Sequence, residues 1–376
     1  MIYFDNAATT PMLPEVIETV YQSMLSCYGN PSSTHALGRE AKTAVETARK
    51  SIANQLHVTA QEIVFTSGGS ESDNLVLYNA VMEMGVQTIV TSVLEHHAIL
   101  HTLEYLSHRF GTQILYVNLT EAGFIDVQHL ETLLQTHPEK KLVSLMMVNN
   151  ELGTLLDMEQ VGALCSAYQT LFLCDAVQGV GHYELDLKKI KVDFLTASAH
   201  KFHGPKGVGF LYVRKGNAMR PLLHGAPQEH GLRAGTENVH SVVGMAKALE
   251  LAYENLNSDS EHIVQIKSQM AAGLKANIPN IQFNAQSDDL MQHAYHILNV
   301  RFPEKIELFL FKLDLKGIAA SGGSACQSGS DKGSHVLKAI LNESDAQKTS
   351  VRFSFSKFNT LAEVESALAI IRGILK

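Results

Sequence analysis

Lys201 stands in Thr196-Ala-Ser-Ala-His-Lys-Phe-His-Gly-Pro-Lys-Gly207, after the apolar run Val192 to Leu195 and before a Gly-Pro-Lys-Gly turn. A lysine ammonium is strongly hydrated, so its use as a nucleophile requires that it be pinned and its pKa lowered. Small residues, a serine and histidines around Lys201 suit a pocket floor better than a solvated face, and the chemistry open to such a lysine is Schiff-base formation. An isolated lysine in this setting would be an ordinary surface residue; what singles this one out is its company. The run Thr66-Ser-Gly-Gly-Ser-Glu-Ser-Asp-Asn74 follows a strand-like segment and opens a helical pattern. Such a turn offers free backbone N–H groups and the positive end of a helix dipole to a phosphate. His96, Asn150, Asp175 and Gln178 each follow an apolar run. Cys326 lies in Ser321-Gly-Gly-Ser-Ala-Cys-Gln-Ser-Gly-Ser-Asp-Lys-Gly333, a stretch with nothing apolar to bury. An exposed thiol on a flexible arm is a candidate nucleophile. Cys165 and Cys174 fall in apolar stripes and read as packing residues, while Cys27 is ambiguous.

The elements that must position these groups follow from hydrophobic periodicity. Strands are expected at Glu62 to Phe65, Thr88 to Val93, Leu142 to Val148, Thr170 to Cys174 and Val192 to Leu195, with helical patterns such as Met158, Val161, Leu164, Cys165 and Tyr168 between them. Alternating strands and helices argue for a parallel sheet, and ligands bind at the C-terminal ends of its strands, where His96, Asn150, Asp175 and Gln178 fall. A helix is expected from Val242 to Leu256, then a polar break at Asn257-Ser-Asp-Ser260. The remainder mixes a helix (Ile266, Met270, Leu274), strands (His296 to Phe302, Gly317 to Ser321, Val351 to Phe355) and a final helix from Leu361 to Leu375. The expected fold is α/β: a large domain of residues 15–256 with a mostly parallel central sheet flanked by helices, and a smaller α+β domain of residues 1–14 and 257–376 carrying Cys326. The 376 residues suffice for both, and a net charge of −8 gives no general attraction to nucleic acid or an anionic membrane. Without a signal-type N-terminus, an apolar run of about 18 residues or CxxC spacing, the chain reads as a cytoplasmic protein in a reducing compartment.

A phosphate loop, an aspartate and a lysine are three of the parts that a pyridoxal 5′-phosphate site needs: the lysine to carry the cofactor, the aspartate to keep the pyridine nitrogen protonated, the loop to hold the phosphate. In combination, Gly68-Gly-Ser-Glu-Ser-Asp-Asn74, Glu95-His96, Asn149-Asn-Glu-Leu-Gly153, Asp175-Ala-Val-Gln178, Ser198-Ala-His-Lys201, Arg233-Ala-Gly-Thr236 and Ser324-Ala-Cys326 resemble the cysteine desulfurases of the NifS/IscS group. These are fold-type I, class V aminotransferase-like pyridoxal phosphate enzymes. The resemblance runs from Asp5-Asn-Ala-Ala-Thr-Thr10 to Arg352-Phe-Ser354. It implies that Lys201 carries the cofactor, Asp175 pairs with the pyridine nitrogen and Gln178 with the phenolic oxygen. It further implies that His96 stacks on the ring and serves as acid and base. Gly69, Ser70, Ser198 and His200 would hold the phosphate, with Thr236 reaching in from the other subunit of a homodimer. Asn150 and Arg352 would grip the substrate carboxylate, a task suited to a bidentate guanidinium. Cys326 would take the sulfur of L-cysteine as a persulfide, leaving L-alanine, and hand it to an acceptor such as an iron–sulfur scaffold protein or a tRNA-thiolation partner. No metal site is implied beyond a transient contact of Cys326 with an iron–sulfur cluster, and no direct nucleic-acid or membrane contact. After His224, where the family has a glycine run, this chain has Gly225-Ala-Pro-Gln228. A class V aminotransferase, a selenocysteine lyase and a catalytically silent binding partner remain alternatives at the level of sequence.

Overall fold

The computed structural model describes residues 1–323 and 333–375. Its strands are, in chain order, β1 (Ile2–Tyr3), β2 (Ile63–Thr66), β3 (Thr88–Thr91), β4 (Gln113–Tyr116), β5 (Lys141–Met146), β6 (Leu171–Asp175), β7 (Phe194–Ser198), β8 (Gly209–Val213), β9 (Gln282–Phe283), β10 (Ile297–Arg301), β11 (Ile318–Ala319) and β12 (Ser350–Ser354). Strands β2 to β8 make one seven-stranded sheet in the order β2-β8-β7-β6-β5-β3-β4. Its pairings are parallel except around β8, which runs antiparallel to both β2 and β7. The sheet interior is nearly all apolar: β2, β3, β7 and β8 are buried along their whole length, as strands covered by helices on both faces must be. The expected mostly parallel α/β sheet is thus the observed one. Two strands go beyond the sequence reading. Edge strand β4 is half-exposed and too short to leave a pattern. Strand β8, Gly-Phe-Leu-Tyr-Val, is apolar but follows a glycine-rich turn without an intervening helix.

The helices are α1 (Pro14–Ser26), α2 (Ala36–Gln55), α3 (Gly69–Met82), α4 (His97–Phe110), α5 (Val127–Thr136), α6 (Met158–Ala167), α7 (Val239–Glu254), α8 (Leu256–Asn277), α9 (Phe309–Leu315), α10 (His335–Ile340), α11 (Glu343–Ala346) and α12 (Leu361–Leu375). The polar break expected at Asn257-Ser-Asp-Ser260 is not there. These residues form the first turn of α8, and only Asn255 separates it from α7. Serine, aspartate and asparagine disfavour helix interiors but suit N-terminal turns, so the same residues that look like a loop in sequence begin a helix in space.

A second sheet, β12-β10-β9, is antiparallel, and β1 pairs with β11 in parallel. Phe4, Ile266, Met270, Leu298, Phe353, Val364 and Ile371 belong to the apolar core beneath it, apart from those that line the large sheet. Residues 5–10 bridge the two sheets. Asp5 pairs with Ser354, and the Ala7 N–H donates to Ser354 Oγ at 2.8 Å. Farther along, the Thr10 N–H and hydroxyl both donate to the His200 carbonyl at 2.9 Å. Among the described residues, no helix is long and apolar enough to cross a membrane.

Candidate active site

The C-terminal ends of β2, β5, β6 and β7 surround a cavity of about 440 Å³. Residues at or just beyond these ends, Gly69, Asn150, Asp175 and Ser198 among them, line the cavity. At the end of β2, Gly68 takes φ 147°, a conformation open essentially to glycine alone, and α3 begins at Gly69. Close packing fixes this turn from behind: a Cβ on Gly209 of β8 would lie 2.7 Å from Gly68 Cα. The first-turn N–H groups of α3 are left open by helix geometry and face the cavity at Gly69 and Ser70. Glu71 braces the turn, accepting from the Ser67 N–H at 2.8 Å and from Arg233 Nε at 3.0 Å. Although burial opposes it, these two donors hold the Glu71 carboxyl below its ordinary pKa.

Asp175 is the last residue of β6 and 8% exposed. Its Oδ1 accepts from the Val177 N–H at 3.0 Å. Burial raises the Asp175 carboxyl above the ordinary carboxylate range, against the pull of His96, that N–H and Lys201. Three residues on, Gln178 Nε2 donates to the Ala7 carbonyl at 2.8 Å. His96 caps α4, its Nδ1 accepting from the Ala98 N–H at 3.2 Å, which leaves Nε2 as the proton-bearing nitrogen of the neutral ring. Burial lowers the His96 pKa, Lys201 and His335 add to this, and Asp175 opposes it.

Lys201 ends a short 3-10 turn after β7, and its Nζ donates to the carbonyls of Ala7 at 2.6 Å and Ala8 at 3.0 Å. The turn is stitched to the N-terminal segment. Besides the Thr10 bonds to the His200 carbonyl, the His203 N–H donates to Thr10 Oγ1 at 2.8 Å and His200 Nδ1 lies 3.2 Å from Thr9 Oγ1. Burial, with Lys201 and Lys206 nearby, pushes the His200 pKa down to about 4. Arg352, on β12 of the second sheet, is 1% exposed. It donates to the Asn150 carbonyl at 2.8 Å and to Asp5 Oδ1 at 2.9 Å, while its Nε has no hydrogen-bond partner among the described residues.

Ten of the expected site residues therefore line one cavity: Gly69, Ser70, His96, Asn150, Asp175, Gln178, Ser198, His200, Lys201 and Arg352. Thr236 is exposed and does not line it; the expectation placed it in the other subunit's site. Cys326 lies outside the described residues. Sequence reasoning missed the floor laid by Ala7, Ala8 and Thr9, for which a small-residue turn was the only signal. It also missed a group of acids below. Asp73 and Glu95 are each 1% exposed, and burial pushes both carboxyls well above their ordinary pKa. Of the cysteines expected to pack, Cys165 and Cys174 are buried, as is Cys27.

The class-V aminotransferase family model matches residues 2–367. The cysteine desulfurase IscS of Dictyoglomus turgidum is 37% identical over 380 residues, spanning 100% of this chain and 94% of that protein. A solved NifS-like protein shares 38% identity with a TM-score of 0.90, covering 100% of this chain and 99% of its own. A structure described as SspA in complex with cysteine shares 31% identity with a TM-score of 0.83, over 96% of this chain and 100% of that one. With its fold, its cavity and its full-length relatives in agreement, the chain belongs to the class-V aminotransferase family, in the cysteine desulfurase group.

Proposed function

We propose that this chain is a pyridoxal 5′-phosphate-dependent cysteine desulfurase that converts L-cysteine to L-alanine and captures the sulfur on Cys326. The observation that carries the reading is the convergence, in one cavity of about 440 Å³, of a helix N-terminus, a buried aspartate and a lysine. That donor set fits the cofactor. Gly69, Ser70, Ser198 and His200 would hold its phosphate, Asp175 its pyridine nitrogen, Gln178 its phenolic oxygen and Lys201 its aldehyde carbon. When bound, the cofactor supplies an electron sink for the substrate carbon.

The remaining work falls to the chain's own groups. Arg352 and Asn150 orient the substrate carboxylate, the Arg352 guanidinium lining the cavity as its matching cation. His96, kept neutral by burial and with its Nδ1 engaged by the Ala98 N–H, presents its Nε2–H to the reacting atoms. Cys326 accepts the sulfur. The C–S bond of L-cysteine breaks, an S–S bond forms, and the two species leave as L-alanine and a Cys326 persulfide, with no external oxidant needed. The persulfide passes to an acceptor such as an iron–sulfur scaffold protein or a tRNA-thiolation partner, and the working unit is a homodimer to whose sites Thr236 reaches across. Residues 15–256 form the cofactor-binding domain in this reading, and residues 1–14 with 257–376 the smaller one. The test is an absorbance spectrum before and after L-cysteine, with alanine and reducible sulfur assayed together. Cys326→Ala is expected to keep the cofactor band and lose sulfur release; unchanged sulfur release in that variant sinks the reading.

A further inference from the structure

Behind the Lys201 turn lies a group of aromatic residues that the reaction above does not use. His182 Nε2 sits 3.1 Å from the Lys201 carbonyl oxygen, and His182 Nδ1 sits 3.2 Å from the Tyr295 hydroxyl. The His296 ring stacks on that of His182 at 4.2 Å between centroids and 14° between planes. His296 is 2% exposed, and neither of its ring nitrogens has a hydrogen-bond partner among the described residues, so its contribution is the stack. The adjoining cavity is only about 20 Å³, room for about one water and too small for a ligand.

A carbonyl oxygen only accepts, so Nε2 of His182 must carry the hydrogen. In the neutral ring Nδ1 is then an acceptor, and the Tyr295 hydroxyl lies within reach of both this nitrogen, at 3.2 Å, and the His182 carbonyl oxygen, at 3.1 Å, its single hydrogen serving one of them at a time. Through either contact Tyr295 holds His182 from the side of the second sheet. Tyr295 lies two residues before β10, which pairs with Arg352-bearing β12, so the bracket runs from the second sheet to the lysine turn. From the N-terminal side the same turn is held through Thr10, Pro11 and Leu13.

We propose that His182 is a positioning residue for Lys201: oriented by Tyr295 and clamped by His296, it holds the Lys201 peptide through its carbonyl and so sets where the amine can reach. This rests on the reading of Lys201 as the cofactor-bearing lysine. A hydrogen bond spent on the backbone acts on the chemistry through placement, and small misplacements of a reacting group cost large factors in rate.

The test compares His182→Phe, which keeps the ring and the stack, with His182→Gln, whose Nε2 can still donate to the Lys201 carbonyl. Two quantities are read: kcat and KM for alanine formation, and the rate at which pyridoxal 5′-phosphate becomes attached to the apoprotein, followed by absorbance. The expected result for His182→Phe is a fall of about tenfold in kcat and in attachment rate, with KM nearly unchanged. His182→Gln is expected to stay within about threefold of the unsubstituted protein. Should the Phe variant fail to fold, Tyr295→Phe carries the test, because it frees the ring while keeping the packing; an attachment rate lowered about threefold is then expected. A Phe variant matching the unsubstituted protein in both rates overturns the proposal alone. So does a Gln variant as impaired as Phe, because a donor to the Lys201 carbonyl would then not restore the rates. An unsubstituted apoprotein that never takes up the cofactor overturns the proposal together with the reading beneath it.

Discussion

Two buried arginines, Arg49 and Arg352, differ in how the protein uses their donors. Arg49 of α2 is 2% exposed and fully engaged. It donates to Glu229 through Nη1 at 2.6 Å and Nη2 at 2.8 Å, to the Ile63 carbonyl at 2.8 Å and to Glu46 at 3.1 Å, with the Phe65 ring 4.4 Å away. Arg352 is as deeply buried, yet it lines a cavity, makes one carboxylate contact, and has an Nε without a hydrogen-bond partner among the described residues. A buried guanidinium normally exhausts its donors, because an unsatisfied buried donor costs about 1–3 kcal/mol. The first arginine is engaged by the protein's own groups; the second, in the function proposed above, is the one that meets a ligand.

The comparison can be broken most forcefully at Arg49. Arg49→Met leaves Glu229 buried without its cation and is expected to cost about 3–5 kcal/mol by denaturant unfolding. The protein that remains folded should keep its specific activity. Arg49→Met with Glu229→Gln, which still accepts from the Phe65 N–H, should be less destabilised than the single variant. The opposite signature is expected at Arg352. Arg352→Lys should lower kcat/KM for L-cysteine by about 100-fold while shifting the melting temperature little, since a lysine cannot reproduce the fork. Equal effects on stability at both positions would erase the distinction.

Acid sharpens it further. His182, His200 and His203 around the lysine turn have pKa values pushed down to about 4, chiefly by burial. The unfolded chain binds their protons near pH 6.5. Between pH 6.5 and about 4 the unfolded state therefore holds more protons, so stability is full above this window and falls as pH drops through it, by at most about 1.4 kcal/mol per pH unit for each histidine. Hydrogen exchange should show the Lys201 turn loosening before the surroundings of Arg49. The smallest effect is expected at the partly exposed pair Arg233–Glu71. There, Glu71→Gln should cost only about 1 kcal/mol, because solvent screens the pair.

What sequence conveyed about these places followed their physics. The strand ends carrying His96, Asn150, Asp175 and Lys201 stood out because apolar runs broke into polar and glycine residues there, and the sheet places them together. Arg352 sits within a strand, in Ser-Val-Arg-Phe-Ser, where alternation reads as an outward-facing cation; only family resemblance drew attention to it. Asp73 and Glu95 look like surface acids until the sheet closes over them. The first turn of α8 looked like a linker because capping residues and loop residues are the same types. The expectation that Cys326 is a nucleophile came from its surroundings in sequence, and that residue lies outside the described part of the chain.

The segment that carries Ala7 and Ala8 has a consequence for the order in which the protein is assembled. Its Asn6 side chain donates to the Ser354 carbonyl, a partner 348 residues later. On a ribosome, these residues must wait for a partner 348 residues later before they can be seated. Contacts of such long sequence separation close late and slowly. The cavity floor is therefore among the final parts to form, and an incomplete chain holds a lysine turn whose amine has lost the two carbonyls that receive it.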